Sequence, residues 1–195
     1  MNPTPVVLYG DYVRLEPLDH RHAGDLLEQA RDDEIWRYMP VPRPATRAAL
    51  ELLIDKAWKA ASEGLEIPFA IVDDKSDRAV GSTRYLDIHR PDRILEIGWT
   101  WLGTSAQRTP INTECKFLLL RHAFEDLGAL RVQLKTDGRN TRSQQAIDRL
   151  GAVKEGVLRR NRLMWDGVRR DTVYYSILDD EWPAVKTRLE GFLAR

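Results

Sequence analysis

The chain has 195 residues, 43% of them hydrophobic and 31% charged, and its 30 Lys plus Arg balance 30 Asp plus Glu. That is enough for one domain with its own core, spanning 1–195, and the balance excludes a disordered chain and nucleic-acid binding driven by bulk positive charge. Cys115 is the only cysteine, which excludes an internal disulfide, and no stretch is apolar enough for a signal peptide or a membrane span, so a cytoplasmic protein is expected.

In chain order, Tyr12 to Leu18 alternates in polarity and predicts a strand, ended by Pro17 and the Asp19 cap. Asp19 to Arg31 reads as a short helix with Ala23, Leu26, Leu27 and Ala30 on one face. Trp36 to Pro44 differs: Pro40, Pro42 and Pro44 forbid regular structure, and Trp36, Tyr38 and Met39 give it an apolar surface. It is either a packed connection or one wall of a substrate cleft. Thr46 caps a second helix to about Ser62, with Leu50, Leu53, Ile54, Ala57, Trp58 and Ala61 inward and Gly64 past its end. Ile67 to Val72 reads as a buried strand. Ala79 to His89 is the next, pairing across Pro91-Asp92-Arg93 with a strand around Glu96.

The run Glu96 to Gly128 is the most informative. Leu95, Ile97, Trp99 and Trp101 alternate with Glu96, Gly98 and Thr100, which predicts a strand ending near Gly103. Past a polar loop, Thr113, Phe117, Leu120, Phe124 and Leu127 recur at helical spacing, with Lys116, Arg121 and Asp126 off that stripe. Thr109 is placed as N-cap and Pro110 as first helical residue, with Asn112 an alternative cap. A helix start offers free N–H groups and the positive end of the dipole, which attract phosphate, and Gln107 and Arg108 add donors just before it.

Leu130 to Thr136 predicts another strand, and Thr141-x-x-Gln144 a capping box opening a helix to Leu150 that stops at Gly151. Val153 to Trp165 and Arg169 to Leu178 read as two long strands joined at Asp166-Gly167, a strong hairpin signal. A last helix starts at Asp179 or Asp180 and carries Trp182, Val185, Leu189 and Phe192. Arg131 to Arg170 holds 11 basic residues against 4 acidic ones. Such a basic half suits a ligand with several phosphates, or else marks strand edges solvated by arginine. The four histidines are not spaced as metal ligands, and no metal is expected.

Several strings resemble one family: Glu96-Ile97-Gly98-Trp99, Gln107-Arg108-Thr109-Pro110-Ile111-Asn112, Asn112-Thr113-Glu114 with Leu118 to Phe124, Asn140-x-x-Ser143, Glu155-Gly156-x-x-Arg159, Asp166-Gly167 with Asp171, and Tyr175-Ser176-Ile177-Leu178 before Glu181-Trp182. They look like the GNAT acyl-CoA-dependent N-acyltransferases, in particular the RimJ/RimL-type branch, and the resemblance runs from Val13 to Leu193. The loop departs from the family pattern, because Pro110 stands at its first glycine and Asn112 at its last small residue, so one backbone donor to a pyrophosphate is lost.

The resemblance implies an α/β (α+β) fold: a central mixed, mostly antiparallel twisted sheet of about seven strands with helices on both faces. It implies acetyl-CoA or another acyl-CoA as cosubstrate, a protein N-terminus or small amine as acceptor, no nucleic acid, no membrane, and a homodimer as an open alternative to a monomer. Coenzyme contacts are then expected from Gln107, Arg108, Thr109, Ile111, Asn112 and Thr113, from the backbone of Trp99, Thr100 and Trp101, and from Asn140 and Ser143. Glu96 is the expected base and Ser143 the acid for the leaving thiolate, with Tyr175 a second acid candidate. Trp36, Tyr38, Met39 and Tyr85 are expected at the acceptor. For Glu96 a structural ion pair, and for Asn140 and Ser143 a plain capping role, are the alternatives. The competing function is a CoA-binding or scaffold protein of the same fold that has lost the reaction.

Overall fold

The computed structural model describes residues 1–194. Its strands are β1 (Leu8–Tyr9), β2 (Val13–Pro17), β3 (Ile67–Asp73), β4 (Arg78–His89), β5 (Ile94–Leu102), β6 (Arg131–Asp137), β7 (Val153–Leu163) and β8 (Arg169–Leu178). Its helices are α1 (Ala23–Gln29), α2 (Asp33–Trp36), α3 (Arg47–Ser62), α4 (Pro110–Arg121), α5 (Thr141–Leu150) and α6 (Trp182–Leu193). The strands form one sheet in the order β1-β2-β3-β4-β5-β6-β8-β7. Every neighbouring pair is antiparallel except β5 with β6, which are parallel and joined through α4.

Alternation along the strands sends side chains to two cores. On one face, Leu95, Ile97, Val132, Leu134, Val173, Tyr175 and Ile177 meet Cys115, Leu118 and Leu119 of α4 and Trp182, Val185 and Leu189 of α6. On the other, Ala70, Val72, Ala79 and Trp101 meet Leu26, Trp36, Leu50, Ile54 and Ala57 of α1 to α3. The helices α1 and α3 pack on β3 and β4, so this second face is left uncovered by helix along β6, β8 and β7.

The element order agrees with the sequence expectation, with local corrections. There are eight strands, not about seven: the two residues of β1 are too short to show a period, and they pair with β2 through Leu8 and Leu15. Asp19 to Arg31 is not one helix, since a 3₁₀ turn (His20–His22) precedes α1, and Asp32 caps a further turn, α2. Trp58 is exposed on α3, stacked 4.8 Å from His20, with its indole N–H donating 2.6 Å to the Leu18 carbonyl. The cap of α5 is Asn140, whose Oδ1 accepts from the Ser143 N–H at 3.0 Å, so Thr141 is the first helical residue and no Thr141 capping box forms. The last helix begins at Trp182. Gly151 stops α5 at φ +101, a conformation open to glycine.

Glu114 fastens the first hairpin to α4. Its carboxylate accepts backbone N–H bonds from Asp11 (2.9 Å), Tyr12 (2.6 Å) and Val13 (2.7 Å). These donors replace the water a buried carboxylate loses. Gly10 lies so close to the carboxylate that any side chain there would displace it. Glu114→Gln turns an acceptor into a donor facing N–H groups and is expected to cost about 2 kcal/mol of unfolding free energy. Urea denaturation reads this directly, and a variant as stable as the native chain contradicts the clamp.

Candidate active site

The parallel strands β5 and β6 pair only where Ile94, Leu95 and Glu96 meet Arg131, Val132 and Gln133. β5 then runs on to Leu102, still paired with β4 on its far side, while β6 runs to Asp137 paired with β8. Beyond Glu96 the two strands part, and the peptide groups on their facing edges lack ladder partners. Such edges accept an extended ligand amide as a sheet accepts an added strand.

A bulge shapes the parting. The β4–β5 register slips between Ser82 and Arg84, and Trp99 opposite takes φ +50, a region non-glycine residues rarely occupy. The Arg84 guanidinium lies 4.3 Å over the Trp99 ring and donates 2.6 Å to Glu66. Gly98 beside it leaves no room for a side chain: a Cβ there would stand 2.8 Å from Glu96 Oε1 and 2.9 Å from Leu86 Cδ2.

The parting opens a cleft of about 710 Å³. On the α4 side it is lined by Gln107, Arg108, Thr109, Asn112, Thr113 and Lys116, with Asn140, Arg142, Ser143 and Arg149 from α5 and its cap. Glu96 to Leu102 and Leu134 to Asp137 form the gap itself. On the opposite side it is bounded by Tyr38, Met39, Glu66, Asp87, Arg162 and Arg170.

Thr109 caps α4 as expected, with Pro110 at the first position. Its Oγ1 accepts from the Ile111 N–H at 3.3 Å and donates to the Ala106 carbonyl at 2.7 Å. Since Pro110 has no N–H, the first-turn backbone donors left are those of Thr109 and Asn112. Gln107 is already engaged, donating to the Leu102 carbonyl at 2.9 Å and accepting from Arg142 at 3.0 Å. Arg108, Arg142 and Arg149 supply the positive charge on this wall.

Glu96 is 2% exposed, with Lys135 Nζ at 2.8 Å and Gln133 Nε2 donating at 2.9 Å. Burial raises its pKa above the ordinary carboxylate value, and Lys135 and Gln133 only partly offset that rise. Lys135 also reaches Asp87 at 3.1 Å, and although burial disfavours its charge, the two carboxylates carry its pKa above the ordinary lysine value. Glu96 therefore sits in an ion pair with Lys135, and at the gap as well.

Lys116 escaped the sequence reading because it falls off the apolar stripe of α4. It is 7% exposed and has no carboxylate partner among the described residues; its Nζ donates 2.6 Å to Thr100 Oγ1, which lies 2.7 Å from Thr83 Oγ1. Burial lowers its pKa. A helix facing a gap in its own sheet presents polar side chains inward, which periodicity alone reads as solvent-facing.

Most of the expected site residues meet in this cleft: Glu96, Trp99, Thr100, Trp101, Gln107, Arg108, Thr109, Asn112, Thr113, Asn140, Ser143, Tyr38 and Met39. Four do not line it. Tyr175 is a core side chain packed on the α4 side, and burial raises its pKa, so it is not placed to give a proton in the cleft. Tyr85 is in the same core, its hydroxyl donating 2.5 Å to the Leu119 carbonyl. Trp36 is buried under α1 and α3, 5.1 Å from the Trp101 ring, with its indole N–H on the Ala30 carbonyl. Ile111 points into the core beneath α4, with its N–H spent on the cap. Trp36, Tyr85 and Ile111 each adjoin a lining residue in the chain, Ile35, Leu86 and Asn112, from which only pleat or helix phase separates them.

A family model for the acetyltransferase (GNAT) domain matches residues 13–153. The chain belongs to the GNAT acetyltransferase family. This GNAT protein is 32% identical over 174 residues to a Bacillus subtilis (strain 168) protein provisionally named ribosomal N-acetyltransferase YdaF, covering 88% of this chain and 92% of the relative. Among solved structures it resembles a GCN5-related N-acetyltransferase from Brucella melitensis, at 31% identity and TM-score 0.93 over 99% of this chain and 87% of that one. It also resembles a provisionally named acetyltransferase from T. thermophilus, at 41% identity and TM-score 0.90 over 99% of this chain and all (100%) of that one. The GNAT sheet, with helices on both faces, is thus the fold found here.

Lys135 holds the Glu96 pKa below where burial alone would put it. With Glu96 as the base, Lys135→Met is expected to move the acid limb of kcat to higher pH. A pH–rate profile checks this; an unmoved limb takes Glu96 out of the proton path.

Proposed function

We propose that this N-acetyltransferase moves an acetyl or related acyl group from a CoA thioester to a primary amine by direct attack, with both substrates in the cleft together. The observation that carries the reading is the parting of β5 from β6 between a cationic helix wall and a buried carboxylate. The residues present fit an acyl-CoA: unpaired strand edges suit the amides of its pantetheine arm, and the α4 start with Arg108, Arg142 and Arg149 suits its phosphates.

When bound, the acyl-CoA supplies the activated acyl carbon and a thiolate leaving group. Free peptide N–H groups around Trp99 to Trp101 polarise the thioester oxygen, in a gap where little water weakens them. Asn140 uses Oδ1 to cap α5 and keeps its amide NH₂ free to hold a pantetheine carbonyl. Ser143, half-buried in the first turn of α5, lends its hydroxyl proton to the departing sulfur. Glu96 accepts the amine proton, directly or through one water, and its raised pKa brings it nearer to the working pH of a base.

The acceptor enters from the side of Tyr38 and Met39. An α-amine with a pKa near 8 is about one-tenth neutral at pH 7, whereas a lysine side chain is neutral at about one part in 2,500. A single buried carboxylate therefore suits a protein N-terminus or a small amine of lowered basicity. The B. subtilis relative is provisionally named a ribosomal N-acetyltransferase, which favours a protein acceptor.

Calorimetric titration with acetyl-CoA, paired with turnover of peptide amines, tests the assignment. Ser143→Ala is expected to lower kcat by about a hundredfold with acetyl-CoA affinity retained. Native turnover in that variant removes Ser143 from the reaction, and failure of the native protein to bind acetyl-CoA overturns the function itself.

A further inference from the structure

Among the described residues, three cations of the basic half are neutralised within the fold, and the others, Arg170 apart, are exposed. Arg131 forks onto Glu155 at 2.5 Å, Lys135 holds Glu96 and Asp87, and Arg139 closes on Asp137 at 2.7 Å. Arg170 is buried without such a partner. It is 7% exposed, yet it forms no ion pair among the described residues, and its Nε has no hydrogen-bond partner. A buried charge left this way is costly, and folds keep few of them.

Register fixes where it points. Lys135 lies opposite Tyr174 and Asp137 opposite Thr172, so the face of β8 that carries Arg170 is the face of β6 that carries Lys135. Val173, Tyr175 and Ile177 take the other face, beneath α4 and α6. Arg170 therefore lies on the acceptor side of the sheet, away from Arg108, Arg142 and Arg149. Directly across from it on β7 stands Arg162, and both line the cleft. Two like charges opposed across a ladder repel each other.

The nearby carboxylates are already committed. Asp137 accepts from Arg139 through both oxygens, and Glu96 from Lys135 and Gln133. Burial pulls the Arg170 pKa down and Asp137 opposes that, but a guanidinium stays charged. What completes the pair is an anion from outside the protein, and a planar carboxylate matches the arginine fork.

We propose that Arg170 and Arg162 form a carboxylate clamp for the acceptor, so that the preferred substrate is an amine carrying a carboxylate within a few bonds of its reacting nitrogen. This rests on the acyl-transfer reading and names the acceptor class for the same cleft. Peptides beginning with a small residue followed by an acidic one and free amino acids both present that chemistry.

The test measures binding by calorimetry with free CoA saturating, so that no turnover is needed. The probes are the amidated peptides Ser-Glu-Ala-Ala and Ser-Gln-Ala-Ala, and the small pair β-alanine and β-alaninamide. At least one acidic member is expected to bind about tenfold tighter than its neutral twin, and the pair that discriminates identifies the source as peptide or small molecule. Arg170→Gln and Arg162→Gln are each expected to erase that preference while CoA binds as before. Arg170→Gln is also expected to melt no lower than the native protein, because it removes an uncompensated buried charge. Equal binding within both pairs, or a preference that survives both substitutions, overturns the clamp and leaves acyl transfer standing. A marked fall in the melting temperature of Arg170→Gln with the preference intact assigns Arg170 to the fold instead. No binding of CoA itself removes both readings.

Discussion

The separation of β5 from β6 is the constraint on which the rest of the structure depends. Main-chain N–H and C=O groups inside a sheet need partners, and this sheet withholds them along one seam in its middle. Such a seam survives only if both flanking strands are held firmly on their outer sides. β4 does so for β5 through Leu102, and β8 does so for β6 through Asp137. Among the described residues the one parallel pair occurs here, and a parallel pair requires a crossover element between its strands. α4 is that crossover, and its buried Leu118, Leu119 and Leu120 set its axis over the seam. Its N-terminus consequently sits at the mouth of the gap, so one topological choice creates both the unpaired edges and the phosphate-attracting end.

The charges in the cleft follow from the same geometry. On the face away from α4, where no helix among the described residues covers β6 and β8, polar side chains replace an apolar core. Glu96, Lys135 and Asp87 satisfy one another, as do Arg84 with Glu66 and Arg139 with Asp137. On the α4 face, Lys116 reaches only the hydroxyl of Thr100, and its burial favours the neutral amine. The outcome is a seam with a buried carboxylate on one side and a cationic wall on the other, separated by strand edges without ladder partners.

Much of this was legible in the residues. Period-two alternation located β2 and β5, Thr109-Pro110 located the start of α4, and Asp166-Gly167 marked the last hairpin, which turns with Gly167 at φ +83. Local chemistry dictates those features, so local sequence reveals them. The errors share one cause. Tyr85, Tyr175, Trp36 and Ile111 were expected at ligands, but which way each points depends on pleat, bulge and helix phase relative to partners distant in sequence. Lys116 and Arg170 were passed over for the converse reason: each looks like a solvated cation until the fold shows that its surroundings are a cleft. The Trp99 bulge also lies beyond sequence reading. The left-handed residue there is a tryptophan and not the glycine beside it.

The central claim is that ligand amides complete the open seam, and residue-resolved amide hydrogen exchange with and without acetyl-CoA tests it most directly. The account predicts new protection at the β5 edge around Trp99 to Trp101, at β6 beyond Leu134, and at the start of α4, with the rest of the sheet unchanged. Protection confined to the acceptor-side loops, or absent from the β5 edge while acetyl-CoA is bound, contradicts it.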